Sequence, residues 1–312
     1  MNYINTLREG DIVSEIYLCK NKVVGTTKAG KSYYSMQLQD KTGTIDAKVW
    51  ELNSGIAHFD SMNYIKVDGQ VTSFNGALQL NVKRVRQADE GEYDMTDYMP
   101  CSEKNIETMY KELLGIIDTV KDAHLKALLN SFFVEDSEFV KRFKKHSAAK
   151  SIHHGFMGGL LEHSLSVAKL CDYVANAYPV IKRDLLVTAA IFHDIGKVDE
   201  ISTFPENDYT DEGQLVGHIV MGAMMLKERI GSIEGFPKVM ADELIHCILA
   251  HHGELEYGSP KKPAIIEAMA LSHADNMDAK LQTFTELINN SKDKKEWLGY
   301  NKMFESNVRL TT

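Results

Sequence analysis

The sequence has no long apolar run. No segment of its 312 residues approaches the roughly 20 consecutive apolar residues of a membrane helix, so no membrane span is expected. The opening residues, Met1-Asn2-Tyr3-Ile4-Asn5-Thr6-Leu7-Arg8, lack the apolar stretch of a secretory leader, and no signal peptide is expected. Cysteine is scarce. Cys19, Cys101, Cys171 and Cys247 are scattered without a CxxC pair and read as reduced thiols of a cytoplasmic protein. Cys171 and Cys247 fall among apolar helical residues, where a thiol packs as a small hydrophobe. There is no internal repeat, low-complexity tract, Walker-type loop or Ser/His/Asp arrangement.

What is present is ordinary globular material, 44% hydrophobic and 25% charged, enough for two cores. The net charge of −9 argues by itself against a nucleic-acid partner, but its distribution does not. Residues 1–88 hold 11 Lys and Arg against 8 Asp and Glu, a net +3, so the remainder carries −12. A mildly basic front precedes a strongly acidic body.

Residues 11–88 read as strands. Ser32–Asp40 alternates and is rich in aromatics, Lys41-Thr42-Gly43 marks a turn, and Thr44–Trp50 alternates again. Tyr64–Val71 is a further strand, and Asn75-Gly76 is a hairpin signal before Leu78–Val82. About five short strands in under a hundred residues imply a small closed barrel. Residues 89–102 are acidic and aperiodic and read as a linker. From Glu103 the period becomes helical, with Ile106, Met109, Leu113, Ile116, Ile117 and Val120 in one apolar stripe. Further helices are expected over 137–147, 160–178, 183–196, 214–231, 237–252 and 263–288.

The helical half carries His163, His193-Asp194, His218, His251-His252 and Asp275, each inside or at the end of an expected helix. Neutral imidazole and ionised carboxylate suit divalent ions, and a bundle brings ligands from distant helices to one point. Whether both His251 and His252 bind stays open. Neighbouring helical residues point about 100° apart, but a helix end redirects one of them.

Two resemblances follow from these motifs. Leu38–Trp50 resembles the strand–turn–strand signature of nucleic-acid-binding OB-folds. Gly158-Gly159-Leu160-Leu161-Glu162-His163-Ser164, Ile191-Phe192-His193-Asp194-Ile195-Gly196-Lys197 and Leu271-Ser272-His273-Ala274-Asp275 resemble the HD phosphohydrolases. That resemblance implies His163, His193, Asp194 and Asp275 around a first ion, with Asp194 bridging to a second, and His218, His251 and His252 as the extra ligands of two-metal enzymes. A pair of ions neutralises phosphodiester oxygens and lowers the pKa of a water between them. Asp194 and Lys197 are the expected catalytic residues, Lys197 by meeting a phosphate oxygen.

The order of the halves, with the run Ser151–His163, resembles the YhaM family of 3′-5′ exoribonucleases of Gram-positive bacteria over nearly the whole chain. The expected fold is multidomain α and β: an OB-fold barrel (1–88), an acidic linker (89–102) and an all-α region (103–312) with the HD core at about 150–290. The resemblance implies Mn²⁺-supported trimming of single-stranded RNA from its 3′ end to nucleoside 5′-monophosphates, in RNA decay. Single-stranded DNA is a further substrate to test, and an HD-type nucleotide phosphohydrolase is the alternative enzyme.

For the strand, aromatic stacking and a basic groove are expected. Tyr33, Tyr34, Trp50 and Phe74 are the barrel aromatics, with at most one of the adjacent tyrosines stacking; core packing is their other role. Lys48, Lys66, Lys83, Arg84 and Arg86 are set to meet phosphates, or are solvated surface. Lys141, Arg142, Lys144 and Lys145, just before His153-His154, are a candidate feed to the ions, or a solvated helix face. His153 and His154 are placed at the scissile phosphate or behind the ligands. Trp297, Tyr300 and Phe304 make 291–312 more aromatic than a free tail, expected to dock on the body or on another subunit of a homo-oligomer.

Overall fold

The computed structural model describes residues 1–99, 101–150, 154–289 and 296–311. It divides into two compact units, Met1–Pro100 and Cys101–Thr312. In the first, β1 (Ile12–Thr26), β2 (Ser32–Asp40), β3 (Gly43–Val49), β4 (Tyr64–Phe74) and β5 (Ala77–Gln87) close in the order β1-β2-β3-β5-β4. All pairings are antiparallel except β3 with β5. This is the Greek-key barrel of an OB-fold. Closure depends on β1, whose first half pairs with β4 and whose second half pairs with β2, with a register shift between Cys19 and Asn21. Such a bulge bends a strand and lets it serve two neighbours. Alternation then sends Met36, Leu38, Ile45, Ala47 and Val49 into a core with Val13, Tyr17, Ile65, Val67 and Leu80.

The segment expected as a linker is folded against the barrel. Tyr93 stacks on Tyr64 with ring centroids 4.0 Å apart, and Tyr98 meets both edge-on. Gln39 donates to the Tyr98 carbonyl at 3.0 Å. Arg86 grips Glu92, and Lys41 reaches Asp97 at 2.8 Å. Two of the acidic residues that look like solvated spacer, Glu92 and Asp97, are the partners of barrel cations, and the compact unit runs to residue 100 instead of 88.

The second unit contains α1 (Ile106–Asp118), α2 (Ala123–Phe133), α3 (Ser137–Lys145), α4 (Gly159–Ala177), α5 (Arg183–Phe192), α6 (Lys197–Glu200), α7 (Asp211–Val216), α8 (His218–Gly231), α9 (Lys238–Ala250) and α10 (Ile266–Asn289). Asn105, Asp122 and Asp136 cap α1, α2 and α3 with side-chain oxygens on backbone N–H groups. α5 is buried from Leu185 to Phe192 and packs on α4, and Phe132, Phe133, Phe139, Phe143 and Phe192 form a cluster of rings, most of them edge to face, with Phe133–Phe192 tilted and Phe139–Phe143 stacked.

Three expectations need correction. The helix expected over 183–196 stops at Phe192, and 193–196 is a tight turn in which the Ile195 N–H donates to Phe192 O and the Lys197 N–H to Asp194 O. The helix expected over 214–231 is broken at Gly217, whose φ of +78° no other residue adopts cheaply. The region after 103 is not all-α. β6 (Trp297–Asn301) and β7 (Ser306–Arg309) form a hairpin, with Val308 buried and Phe304 against Phe284 of α10 at 4.2 Å. Among the described residues no helix is long and apolar enough to cross a membrane.

Candidate metal centre

The turns and helix ends of the second unit carry the chemistry. His163 lies on α4, His193 and Asp194 in the turn after α5, and His218 at the start of α8. His251 and His252 lie just beyond α9, and Asp275 on α10. All seven converge. On one side, His163 Nε2 stands 3.1 Å from His193 Nε2, 3.1 Å from Asp275 Oδ1 and 3.4 Å from Asp194 Oδ2. His193 Nε2 is 3.3 Å from the same Asp194 oxygen. On the other side, Asp194 Oδ1 is 3.5 Å from His218 Nε2 and 3.6 Å from His251 Nε2. His218, His251 and His252 present nitrogens within 4.8 Å of one another. The two oxygens of one carboxylate thus face two separate groups of imidazoles.

The spacing and the donor states fit cations. Two donors each about 2.1 Å from one ion stand about 3.0 to 3.4 Å apart, depending on the angle between them. His193 donates Nδ1–H to Ala190 O at 2.8 Å, and His163 donates Nδ1–H to Asp278 at 2.7 Å. With no further proton, both Nε2 atoms would present lone pairs to each other across 3.1 Å. Only a cation or a proton relieves that. Asp194 Oδ1, His218 Nε2 and His251 Nε2 are buried and have no hydrogen-bond partner among the described residues, an arrangement too costly to keep for packing alone.

The electrostatics agree. Burial pushes the Asp194 pKa up, but Lys197 and His193 outweigh it and hold the carboxyl ionised. Burial opposes charge on His163, yet Asp275 and Asp278 outweigh it and push its pKa up to about 10. Lys197 is likewise kept charged, against burial, by Asp194, whose Oδ2 lies 2.7 Å from its Nζ.

The helix end answers how neighbouring histidines meet at one place. Since α9 stops at Ala250, His251 and His252 lie in a turn, with ring centroids 4.3 Å apart. Two residues escaped sequence reasoning. Asp278 accepts from His163 and from His154 Nε2 (3.1 Å), and Glu200 Oε1 accepts from His218 Nδ1 and from its backbone N–H, both at 2.9 Å. Asp278 had one signal, its position a helical turn beyond Asp275; Glu200 had none.

The candidate strand-binding residues are scattered more widely. His154 is buried behind His163, and its Nδ1 has no partner among the described residues; His153 lies outside the described residues. On α3, Lys141 pairs with Glu138, Arg142 with Asp199 and Lys144 with Glu107, while Lys145 is exposed. His146 is buried between the carbonyls of Ser147 and Ile201. On the barrel, Tyr33 stacks on Trp50 at 4.8 Å and the Lys48 ammonium lies over the Tyr33 ring. Trp50 is held by a hydrogen bond from its indole N–H to Asn81 and is half exposed. Tyr34 turns the other way and meets Phe59 edge-on. Phe74, Lys83 and Arg84 are exposed.

Residues 160–280 match the family model of the HD domain. Over 288 residues the chain is 33% identical to a protein of Listeria monocytogenes named 3′-5′ exoribonuclease YhaM, covering 91% of this chain and 90% of that one. A protein of Listeria innocua with the same name is 32% identical over 292 residues, with the same coverage. Two solved structures resemble a part of the chain. One is the second OB-fold domain of replication protein A from Methanococcus maripaludis (20% identity, 30% of this chain, 100% of that chain, TM-score 0.24). The other is a replication protein A heterotrimer bound to single-stranded DNA (17% identity, 28% of this chain, 64% of that chain, TM-score 0.22).

Proposed function

The chain belongs to the YhaM family of 3′-5′ exoribonucleases, and on that premise we propose that it trims single-stranded RNA from the 3′ end to nucleoside 5′-monophosphates at a centre of two divalent ions. The observation that carries this reading is Asp194, one carboxylate between two groups of imidazoles. His163, His193, Asp194 and Asp275 would hold the first ion, and Asp194, His218, His251 and His252 the second. Five imidazoles and two carboxylates suit Mn²⁺ better than Mg²⁺, which prefers oxygen ligands. When bound, such a pair neutralises the oxygens of a phosphodiester and brings the pKa of water toward neutrality.

The chain's own groups do the rest. The backbone carbonyls of Ala190, Ile248 and Tyr257 fix His193, His251 and His252 with Nε2 free to coordinate. Lys197 reaches into the centre and places a cation where a phosphate oxygen arrives, offsetting charge that grows in the transition state. Tyr33 and Trp50, with Lys48 over the Tyr33 ring, supply a stacking face and a positive charge for a single strand. A reducing, cytoplasmic setting suits Cys19, Cys171 and Cys247, which are buried among apolar side chains. The hairpin at 297–309, with Trp297 and Tyr300 exposed, is the surface proposed for a second copy of the chain.

The deciding experiment incubates purified protein with RNA labelled at the 5′ or the 3′ end, with Mn²⁺, Mg²⁺ or chelator. The expected result is progressive shortening of 5′-labelled RNA, immediate release of labelled monophosphate from 3′-labelled RNA, and no reaction under chelation. A ladder from the opposite end, turnover of free nucleotides alone, or full activity in chelator overturns the reading. Equal turnover of single-stranded DNA would remove the restriction to RNA.

A further inference from the structure

The five imidazoles of the centre are not backed alike. His193, His251 and His252 set Nδ1 against neutral backbone carbonyls, those of Ala190 at 2.8 Å, Ile248 at 2.7 Å and Tyr257 at 2.9 Å. His163 and His218 set Nδ1 against carboxylates instead, Asp278 at 2.7 Å and Glu200 at 2.9 Å. These two belong to different groups, His163 with His193 and Asp275, His218 with His251 and His252. Each group therefore contains one carboxylate-backed imidazole.

We propose that Asp278 and Glu200 are positioning residues that set the affinities of the two ions separately, Asp278 through His163 and Glu200 through His218; this rests on the two-ion reading above. A carboxylate behind an imidazole locks the proton on Nδ1, fixes the ring's orientation and makes Nε2 a stronger donor than a neutral carbonyl does. Both carboxylates are themselves fixed. Glu200 is buried, and its Oε1 also accepts the backbone N–H of His218 at 2.9 Å, so one oxygen sets both the start of α8 and the direction of its first side chain. Asp278 Oδ2 also accepts from His154 Nε2 at 3.1 Å, so it cannot swing away from His163 without stranding a second buried imidazole. Glu200 sits on α6 and Asp278 on α10. With different elements and no shared hydrogen-bond partner, each carboxylate acts chiefly on its own group, and Asp194 is the one link between the two.

The test is Mn²⁺ binding to the full chain after metal removal, followed by calorimetry, with free Mn²⁺ counted by electron paramagnetic resonance. The unmodified chain is expected to take two ions. Asp278→Ala should weaken one of them about 10- to 100-fold and leave the other within about twofold. Glu200→Ala should do the reverse. Asp278→Asn and Glu200→Gln should fall between, because an amide oxygen still accepts N–H but lacks the charge. Unfolding of the metal-free variants is the control. If an alanine variant fails to fold, the amide variant carries the same test. Unchanged binding in the variants, or equal weakening of both ions by each single substitution, overturns the proposal. Fewer than two ions on the unmodified chain overturns the two-ion reading and this inference with it, which separates the two failures.

Discussion

Asp194 is the residue on which both groups of imidazoles depend, because its two oxygens face different sides. Asp194→Asn keeps the shape and removes the charge. Metal ions contribute several kcal/mol of transition-state stabilisation, and each 1.36 kcal/mol is tenfold in rate. The expected loss in kcat is therefore roughly 10³-fold, with RNA affinity retained, measured by single-turnover cleavage beside a filter-binding assay. A centre with one ion would respond to the same change without losing both binding events in a Mn²⁺ titration. Phe143 gives a control of another kind. It is fully buried against Phe133 and Phe139. Phe143→Ala should cost about 3–5 kcal/mol of stability, read by denaturant unfolding.

Elements matter here through where they end and how closely they approach. The turn at 193–196 meets the start of α8 at Gly196, where a Cβ would lie 2.1 Å from His218 O and 2.6 Å from Gly222 N. Those are backbone atoms, so nothing yields except the helix itself. Gly196→Ala is expected to push α8 outward, costing about 1–3 kcal/mol and displacing His218 from the second ion while sparing the first. Mn²⁺ stoichiometry together with thermal unfolding checks it. At α3, Asp136 accepts the Phe139 N–H at 3.0 Å and pairs with Arg229 at 3.0 Å. Those partners hold its pKa below the usual carboxylate value in the folded chain. A depressed folded pKa gives stability that is present at neutral pH and lost as pH falls through that pKa. Asp136→Ala should therefore cost about 1–2 kcal/mol at pH 7, and the gap should shrink toward pH 3 in urea unfolding curves.

Across the whole molecule, the proposed function puts chemistry and strand holding in different units. Trp50→Ala removes half of the stacked pair, and loss of one base-stacking contact of about 1–3 kcal/mol predicts RNA affinity weaker by about 5- to 100-fold. Turnover of a dinucleotide should be unchanged, since it does not need the barrel face; a matched fall in both would place Trp50 in the general stability of the protein. The boundary of the first unit makes a further prediction. A fragment ending at 88 loses Tyr93 and Tyr98 from Tyr64, so it should unfold at a lower temperature than one ending at 99.

Much of this was legible before the fold. Period-2 alternation announced β2 to β5 because each strand has one face in a core, and the ordered His and Asp motifs announced the side chains that the fold brings together across more than a hundred residues. Other features had no local signature. Glu200 is one of 44 acidic residues, and nothing in its neighbours distinguishes a carboxylate that backs an imidazole from one in water; Asp278 is marked only by standing a helical turn beyond Asp275. The cations of α3 look like a substrate patch until Glu107, Glu138 and Asp199 are seen beside them. The amino-acid sequence by itself determined the two-part order, the barrel's inward faces and the residue types able to hold metal ions, since these depend on periodicity and on short motifs. Tertiary structure alone decided that Asp194 faces two ways, that His251 and His252 point to one place and which carboxylates stand behind the ring nitrogens. Those are distances between atoms far apart in the chain, set by helix ends and close crossings that no local pattern encodes.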